Sequence, residues 1–120
     1  MEAKLDEIRD AFNSGKRKQA LADVQTLIEK SSEDAQRYQA HDLLAIFLNH
    51  MGQHSEAVQA WAEAIQLLED SNGGVDNLKE GPLVDWINIS LRSAQVMFRQ
   101  GSAKSLRTFR QHMGTFSVGF

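Results

Sequence analysis

The sequence predicts an all-α protein built from antiparallel helix pairs, and three observations support this. The chain has 120 residues and only one proline, Pro82, so little in it interrupts a helix. Residues that lose little side-chain freedom in helices are plentiful, whereas β-branched residues are scattered and do not alternate. Glycines separate stretches with helical apolar spacing. Residues 1–120 are therefore predicted to form a single helical domain.

The first predicted helix pair covers about residues 3–30. Leu5, Ile8 and Phe12 fall on one helical face and are followed by Gly15. The spacing then resumes with Ala20, Val24, Leu27 and Ile28. Glycine enters left-handed backbone conformations without steric cost, so Gly15 is predicted to form the turn.

A second pair is predicted over about residues 34–70 and a third over about 83–113, separated by a loop at 70–82. Gly52 marks the turn of the second pair, and Gly101 marks that of the third. The loop is indicated by Gly73 and Gly74 among small polar residues, and Pro82 suits the first turn of the next helix. This gives about six helices, the last carrying Leu106, Phe109 and Met113.

The stretch from Gly52 to Ile65 resembles the tetratricopeptide repeat (TPR), a helix–turn–helix unit of roughly 34 residues. The family places a glycine at the turn, followed by a small, an aromatic and a second small residue; these places are taken by Gly52, Ala57, Trp61 and Ala64. The first pair keeps this pattern more weakly with Gly15, Ala20 and Val24, and the third with Gly101 and Leu106, although Arg110 stands where an aromatic is expected. The resemblance implies helix pairs stacked as a short TPR-like solenoid.

The resemblance also implies a function and a site. Family members are non-catalytic protein-interaction modules, such as adaptors and co-chaperones, that hold a partner segment in a concave groove lined by the first helix of each pair. Transferring that register to this chain gives Arg9, Phe12, Asn13, Ile46, Asn49, His50, Gln95, Phe98 and Arg99. We expect a protein or peptide partner there.

Charge is unevenly distributed along the chain. Residues 1–82 carry 8 basic and 15 acidic side chains, whereas residues 83–120 carry 5 basic and 1 acidic. A C-terminal interface is predicted from its basic and apolar residues, Lys104, Arg107, Phe109, Arg110, Met113, Phe116 and Phe120. Self-association as a homodimer through this end is expected. The alternative is a regulatory helical protein that contacts nucleic acid through its basic half, although the net charge of −3 argues against it.

Other classes of function find no support in the sequence. The absence of cysteine excludes disulfides and thiolate metal ligands. His50 and His54 have a metal-compatible spacing, but Gly52 between them is expected to break the helix. No cofactor or metal is predicted, and no catalytic motif is present, so we expect no enzyme. Without a secretory signal or a membrane-length apolar run, a cytoplasmic location is expected.

Overall fold

The structure is a computed structural model that describes residues 2–100. It contains five α-helices: α1 (Glu2–Asn13), α2 (Arg17–Lys30), α3 (Asp34–His50), α4 (His54–Ser71) and α5 (Glu80–Gln100). A short 3₁₀ helix, Val75–Asn77, precedes α5. The all-α prediction is confirmed for this part of the chain. The sixth predicted helix lies outside the described residues.

The turns at Gly15 and Gly52 close in the same way. Both glycines have positive φ, 98° and 83°. At each turn the residue after the glycine donates its backbone N–H to a carbonyl five residues earlier: Lys16 to Ala11 at 2.9 Å, and Gln53 to Leu48 at 2.9 Å. This bond satisfies a carbonyl that the ending helix leaves without a partner. The glycines therefore end α1 and α3 as the sequence predicts.

The connection before α5 is shorter than predicted. The sequence predicts a loop at 70–82, but α4 extends to Ser71 and α5 already begins at Glu80. Pro82 stands in the first turn of α5, where its missing N–H has no helical acceptor in any case. Leu78 holds the connection in place because its side chain is buried in the core.

Two apolar clusters share helix α3. The first joins α1, α2 and α3 around Ile8, Val24 and Phe47, and Phe12 stacks on Phe47 with 4.1 Å between ring centroids. The second joins α3, α4 and α5 around residues such as Trp61 and Ile89. Leu44 of α3 packs against both clusters. Helix α3 is thus the central element of the described fold.

The helices pack in chain order, each against the next, and α1 also contacts α3. The close approach of α3 and α4 follows from Ala57, Ala60 and Ala64, whose small side chains are buried on one face of α4 beside Trp61. Among residues 2–100, no helix combines the length and the hydropathy needed to cross a membrane.

Candidate functional site

A groove runs between helices α1, α3 and α5. Its larger part, here called the wide section, has a volume of about 400 Å³. All three helices contribute to the wide section, which is lined by Leu5, Asp6, Arg9, Tyr38, Gln39, Asp42, Asp85, Asn88, Ile89 and Arg92. Most of these side chains are polar, so the wide section offers hydrogen bonds and charges to a ligand and little apolar surface.

The groove continues into a narrow section of about 250 Å³ between α3 and α5. The narrow section is lined by Ile46, Asn49, His50, Trp61, Arg92, Gln95, Val96 and Arg99. Arg92 lines both sections, so the two parts adjoin along α5. Their linings together extend along α5 from Asp85 to Arg99, a length that suits an extended chain better than a compact small molecule.

Asp42 ties three helices together at the junction of the two sections. It lies on α3 and accepts a hydrogen bond of 2.8 Å from Trp61 Nε1 on α4. It also binds Arg92 of α5, whose Nη1 lies 2.8 Å from each carboxylate oxygen. The Asp42 side chain is 21% exposed and that of Arg92 is 42% exposed. This network fixes the direction of Arg92 and keeps its positive charge neutralised.

Tyr38 and Asp85 link α3 to α5 inside the wide section. The Tyr38 hydroxyl donates a hydrogen bond of 2.6 Å to Asp85 Oδ2. Burial and then this hydrogen bond raise the pKa of Tyr38 to about 12. A nucleophilic or basic tyrosine needs a lowered pKa, so Tyr38 is a hydrogen-bond donor that positions Asp85.

Six of the nine predicted groove residues line the groove. Ile46, Asn49, His50, Gln95 and Arg99 meet in the narrow section. Arg9 lines the wide section, where its Nη1 pairs with Asp6 Oδ1 at 3.0 Å. The register taken from the repeat resemblance therefore selects residues of α3 and α5 that share one surface.

The remaining three predicted residues lie elsewhere. Phe12 is buried in the core, 5% exposed, because its ring stacks on Phe47 while the Arg17 guanidinium covers it at 5.1 Å from the ring centroid. Asn13 is exposed at the end of α1 and does not line either section. Phe98 is 59% exposed and likewise lies outside both linings.

Sequence reasoning missed the charged centre of the groove, in particular Asp42, Asp85 and Arg92. A signal for it is present in the sequence. Polar residues recur along α5 at intervals of three or four, which places them on one helical face: Asp85, Asn88, Arg92, Gln95 and Arg99. The apolar residues between them dominate the pattern, and this polar stripe is therefore easily overlooked.

The two histidines beside the Gly52 turn have different neighbours. His54 Nδ1 lies 2.6 Å from Asn49 Oδ1, within hydrogen-bonding distance. His50 is exposed, with its ring 6.2 Å from the Phe12 ring between centroids. Residues 2–100 hold no cluster of three side chains suited to a metal ion.

Two titratable groups with shifted pKa values lie outside the groove linings. Burial lowers the pKa of His41, and the nearby carboxylate of Glu63 opposes that shift only in part. The two side chains approach to 3.3 Å, yet His41 Nδ1 has no partner in hydrogen-bonding geometry. Burial also raises the pKa of Glu69, which accepts a hydrogen bond of 3.0 Å from Trp86 Nε1.

A second surface is the outer face of α5, defined by Leu83, Val84, Ile87 and Leu91. Their exposures are 37%, 55%, 43% and 55%. The four residues follow one another at helical spacing and no charged residue interrupts the stripe. Exposed apolar stripes of this kind often mark contact surfaces. The predicted C-terminal interface, Lys104, Arg107, Phe109, Arg110, Met113, Phe116 and Phe120, lies outside the described residues.

Comparison with known proteins identifies no relative. No protein-family model, no curated protein and no solved structure matches the chain. What stands is an all-α fold of five sequentially packed helices within residues 2–100, with a polar groove on one side and an apolar helix face on another.

Proposed function

We propose that this chain is a non-catalytic protein-interaction module, of the adaptor or co-chaperone type, that holds a segment of a partner protein in the groove between α1, α3 and α5. One observation carries the proposal: five of the residues that the repeat register assigns to a groove line the same cavity, the narrow section. Their amides, cations and apolar groups match the needs of an extended backbone with side chains.

The same proposal includes a TPR-like stacking of the helix pairs. Support comes from the two glycine turns, which share one hydrogen-bond pattern, and from α1, which packs against both α2 and α3. The burial of Ala57, Ala60, Trp61 and Ala64 on α4 supports the packing that the family pattern implies. In such a stack, the first helices of the pairs line a common surface, as α1, α3 and α5 line the groove.

The test compares capture of partners from the native cell extract by wild type and by a Gln95→Ala/Arg99→Ala variant. Both side chains line the narrow section and both are exposed, so their removal changes the groove and leaves the core intact. The matched control is Lys18→Ala/Gln25→Ala, a cation and an amide on exposed positions of α2. We expect a protein that wild type and control retain and the groove variant loses.

Two results would redirect the proposal. A partner retained equally by all three forms would move binding away from the groove. Capture of nucleic acid that fades steeply with salt would favour the alternative function, a regulatory protein that contacts nucleic acid through its basic C-terminal half. Arg92 contributes little to that alternative because Asp42 already neutralises its charge.

A second copy of the chain is the proposed occupant of the outer face of α5. Most soluble oligomers are symmetric homodimers, and an uncharged stripe lets two copies meet without like-charge repulsion. An Ile87→Asp/Leu91→Asp variant is expected to sediment as a monomer while wild type forms a dimer, with Ala22→Asp/Gln25→Asp on α2 as the control of equal charge. A concentration-independent monomer mass for wild type would contradict self-association.

A further inference from the structure

The groove carries its charges in a fixed order along one helix. Asp85, Arg92 and Arg99 all lie on the polar stripe of α5, seven residues apart in each step. Asp85 lines the wide section, Arg99 lines the narrow section and Arg92 lies between them. The stripe therefore runs from a negative end through a positive centre to a positive end.

Pairing among residues 2–100 leaves the two ends of this stripe available. The Arg92 guanidinium is held by Asp42 at 2.8 Å, so the centre is neutral as a pair. Asp85 accepts one hydrogen bond from Tyr38 and forms no ion pair with another described residue. Arg99 is exposed and likewise lacks an ion-pair partner within residues 2–100.

The other charges that line the groove do not reverse this polarity. Asp6 and Arg9 of α1 form an ion pair of 3.0 Å. The Asp6 side chain is 69% exposed and that of Arg9 is 50% exposed. Their charges cancel at the edge of the wide section. His50 adds a hydrogen-bonding imidazole at the narrow section, beside Arg99. The groove thus has a negative end in the wide section and a positive end in the narrow one.

The distance between the two available charges sets the length of a matching ligand. Fourteen residues of α-helix separate Asp85 from Arg99, which is roughly 21 Å at about 1.5 Å per residue. An extended chain advances about 3.3 Å per residue and covers that distance in about six residues. We infer that the groove takes an extended peptide segment with a basic side chain against Asp85 and an acidic side chain against Arg99, about six residues apart.

This inference rests on the proposed function and adds the class of the ligand and its direction in the groove. Since the charged ends differ, a segment with one basic and one acidic side chain binds in the orientation that sets the basic one against Asp85, and a segment whose two charges have the same sign binds less tightly. An exposed ion pair contributes up to about 1 kcal/mol, which corresponds to about two- to fivefold in affinity for each end. Wild type therefore favours a segment with both matching charges over a neutral one by roughly the product of two such factors.

The experiment selects binders from a random peptide library of about nine residues, displayed with extra neutral residues at both ends so that no free terminus competes. The bait is the full chain. Wild type is expected to enrich peptides that carry one Lys or Arg and one Asp or Glu about six positions apart, in either order along the peptide. An Asp85→Lys variant is expected to enrich peptides with two acidic side chains at that spacing instead.

Matched variants separate charge from folding. Lys18→Glu/Glu29→Lys exchanges two exposed charges on α2 and is expected to keep the wild-type pattern of enriched charges. Asp85→Asn leaves an acceptor for the Tyr38 hydroxyl and is expected to lose the preference for the basic residue alone. Arg99→Gln is expected to lose the preference for the acidic residue alone. Circular dichroism identifies any variant that fails to fold.

The outcomes distinguish this inference from the proposed function. Groove-dependent peptides without this pair of opposite charges, or with a pair that the Asp85→Lys variant enriches equally, would overturn the inference and leave the groove as a peptide site. A selection that enriches nothing, or whose peptides bind the Gln95→Ala/Arg99→Ala variant equally well, would overturn both.

Discussion

Replacing Asp42 with alanine is expected to destabilise the fold through one orphaned hydrogen-bond donor. Asp42 accepts the indole N–H of Trp61 at 2.8 Å, and the Trp61 side chain is only 2% exposed. Without the carboxylate, that N–H is left inside the protein with no acceptor, which costs about 1–3 kcal/mol. Arg92 also loses its partner, but it is 42% exposed and turns to water, adding less than about 1 kcal/mol.

The expected loss in the free energy of unfolding is therefore about 2 kcal/mol, with a fall in Tm of roughly 8 °C for a domain of this size. Urea denaturation followed by far-ultraviolet circular dichroism measures it. The control is Asp42→Asn, which removes the charge and keeps an acceptor for Trp61. That variant is expected to lose less than about 1 kcal/mol.

A double-mutant cycle with Trp61→Phe isolates the hydrogen bond. Phenylalanine has no N–H, so Asp42→Ala leaves no orphaned donor in that background and costs less. We expect a coupling of at least about 1 kcal/mol between the two positions. An equal cost of Asp42→Ala in both backgrounds would refute the reasoning, because the loss would then come from Arg92 or from the helix itself.

Other predictions follow from single positions. Tyr38 is the only tyrosine, and ultraviolet titration should show its phenol ionising near pH 12 rather than 10. Because the folded state holds this proton more tightly, the free energy of unfolding falls as pH rises from 10 to 12. Tyr38→Phe is expected to abolish that part of the fall. Burial lowers the pKa of His41, so its contribution to stability is present above about pH 6.5 and is lost as pH falls through the lower folded value; a His41→Gln variant should show a smaller acid dependence in urea melts. Gly52→Ala forces a side chain into φ 83° and should cost about 1 kcal/mol, whereas Gly81→Ala, within α5, should be neutral or stabilising by up to about 1 kcal/mol; equal effects would contradict the left-handed turn. Ala64→Leu overpacks the fully buried α4 face and should cost about 1–3 kcal/mol in the same melts; an unchanged midpoint would mean that α3 and α4 are not closely packed there.

The helices could be predicted from the sequence because their boundaries depend on local chemistry. Gly15 and Gly52 end helices through backbone conformations that glycine adopts at least cost, and the structure places both at positive φ. The sequence predicts the third pair from about residue 83, whereas α5 begins three residues earlier, at Glu80. The pattern of apolar residues does not mark Glu80 as the first residue of a helix. Its backbone has a positive φ of 47°.

The groove could be predicted only in part because tertiary packing decides which polar residues meet. The repeat register places Asn49 and Arg99 on one surface, but it assigned Phe12 to that surface as well. Phe12 instead stacks on Phe47, and this contact joins residues far apart in sequence. The pairing of Asp42 with Arg92 likewise joins α3 to α5 across 50 positions, which no local pattern encodes.

Helix α5 carries both a polar stripe that lines the groove and an apolar outer face. Ile89 and Val96 face the core, while Ile87 and Leu91 form an apolar outer face, so apolar residues occupy most of its circumference. A helix of this kind in a small protein normally turns its polar remainder to bulk water. Here the polar remainder lines the groove beside α3, and the apolar face is left outside. That arrangement exposes apolar area at a cost in solubility. Both proposed partners together would cover the two faces of α5, a charged segment on the polar stripe and a second copy on the outer face.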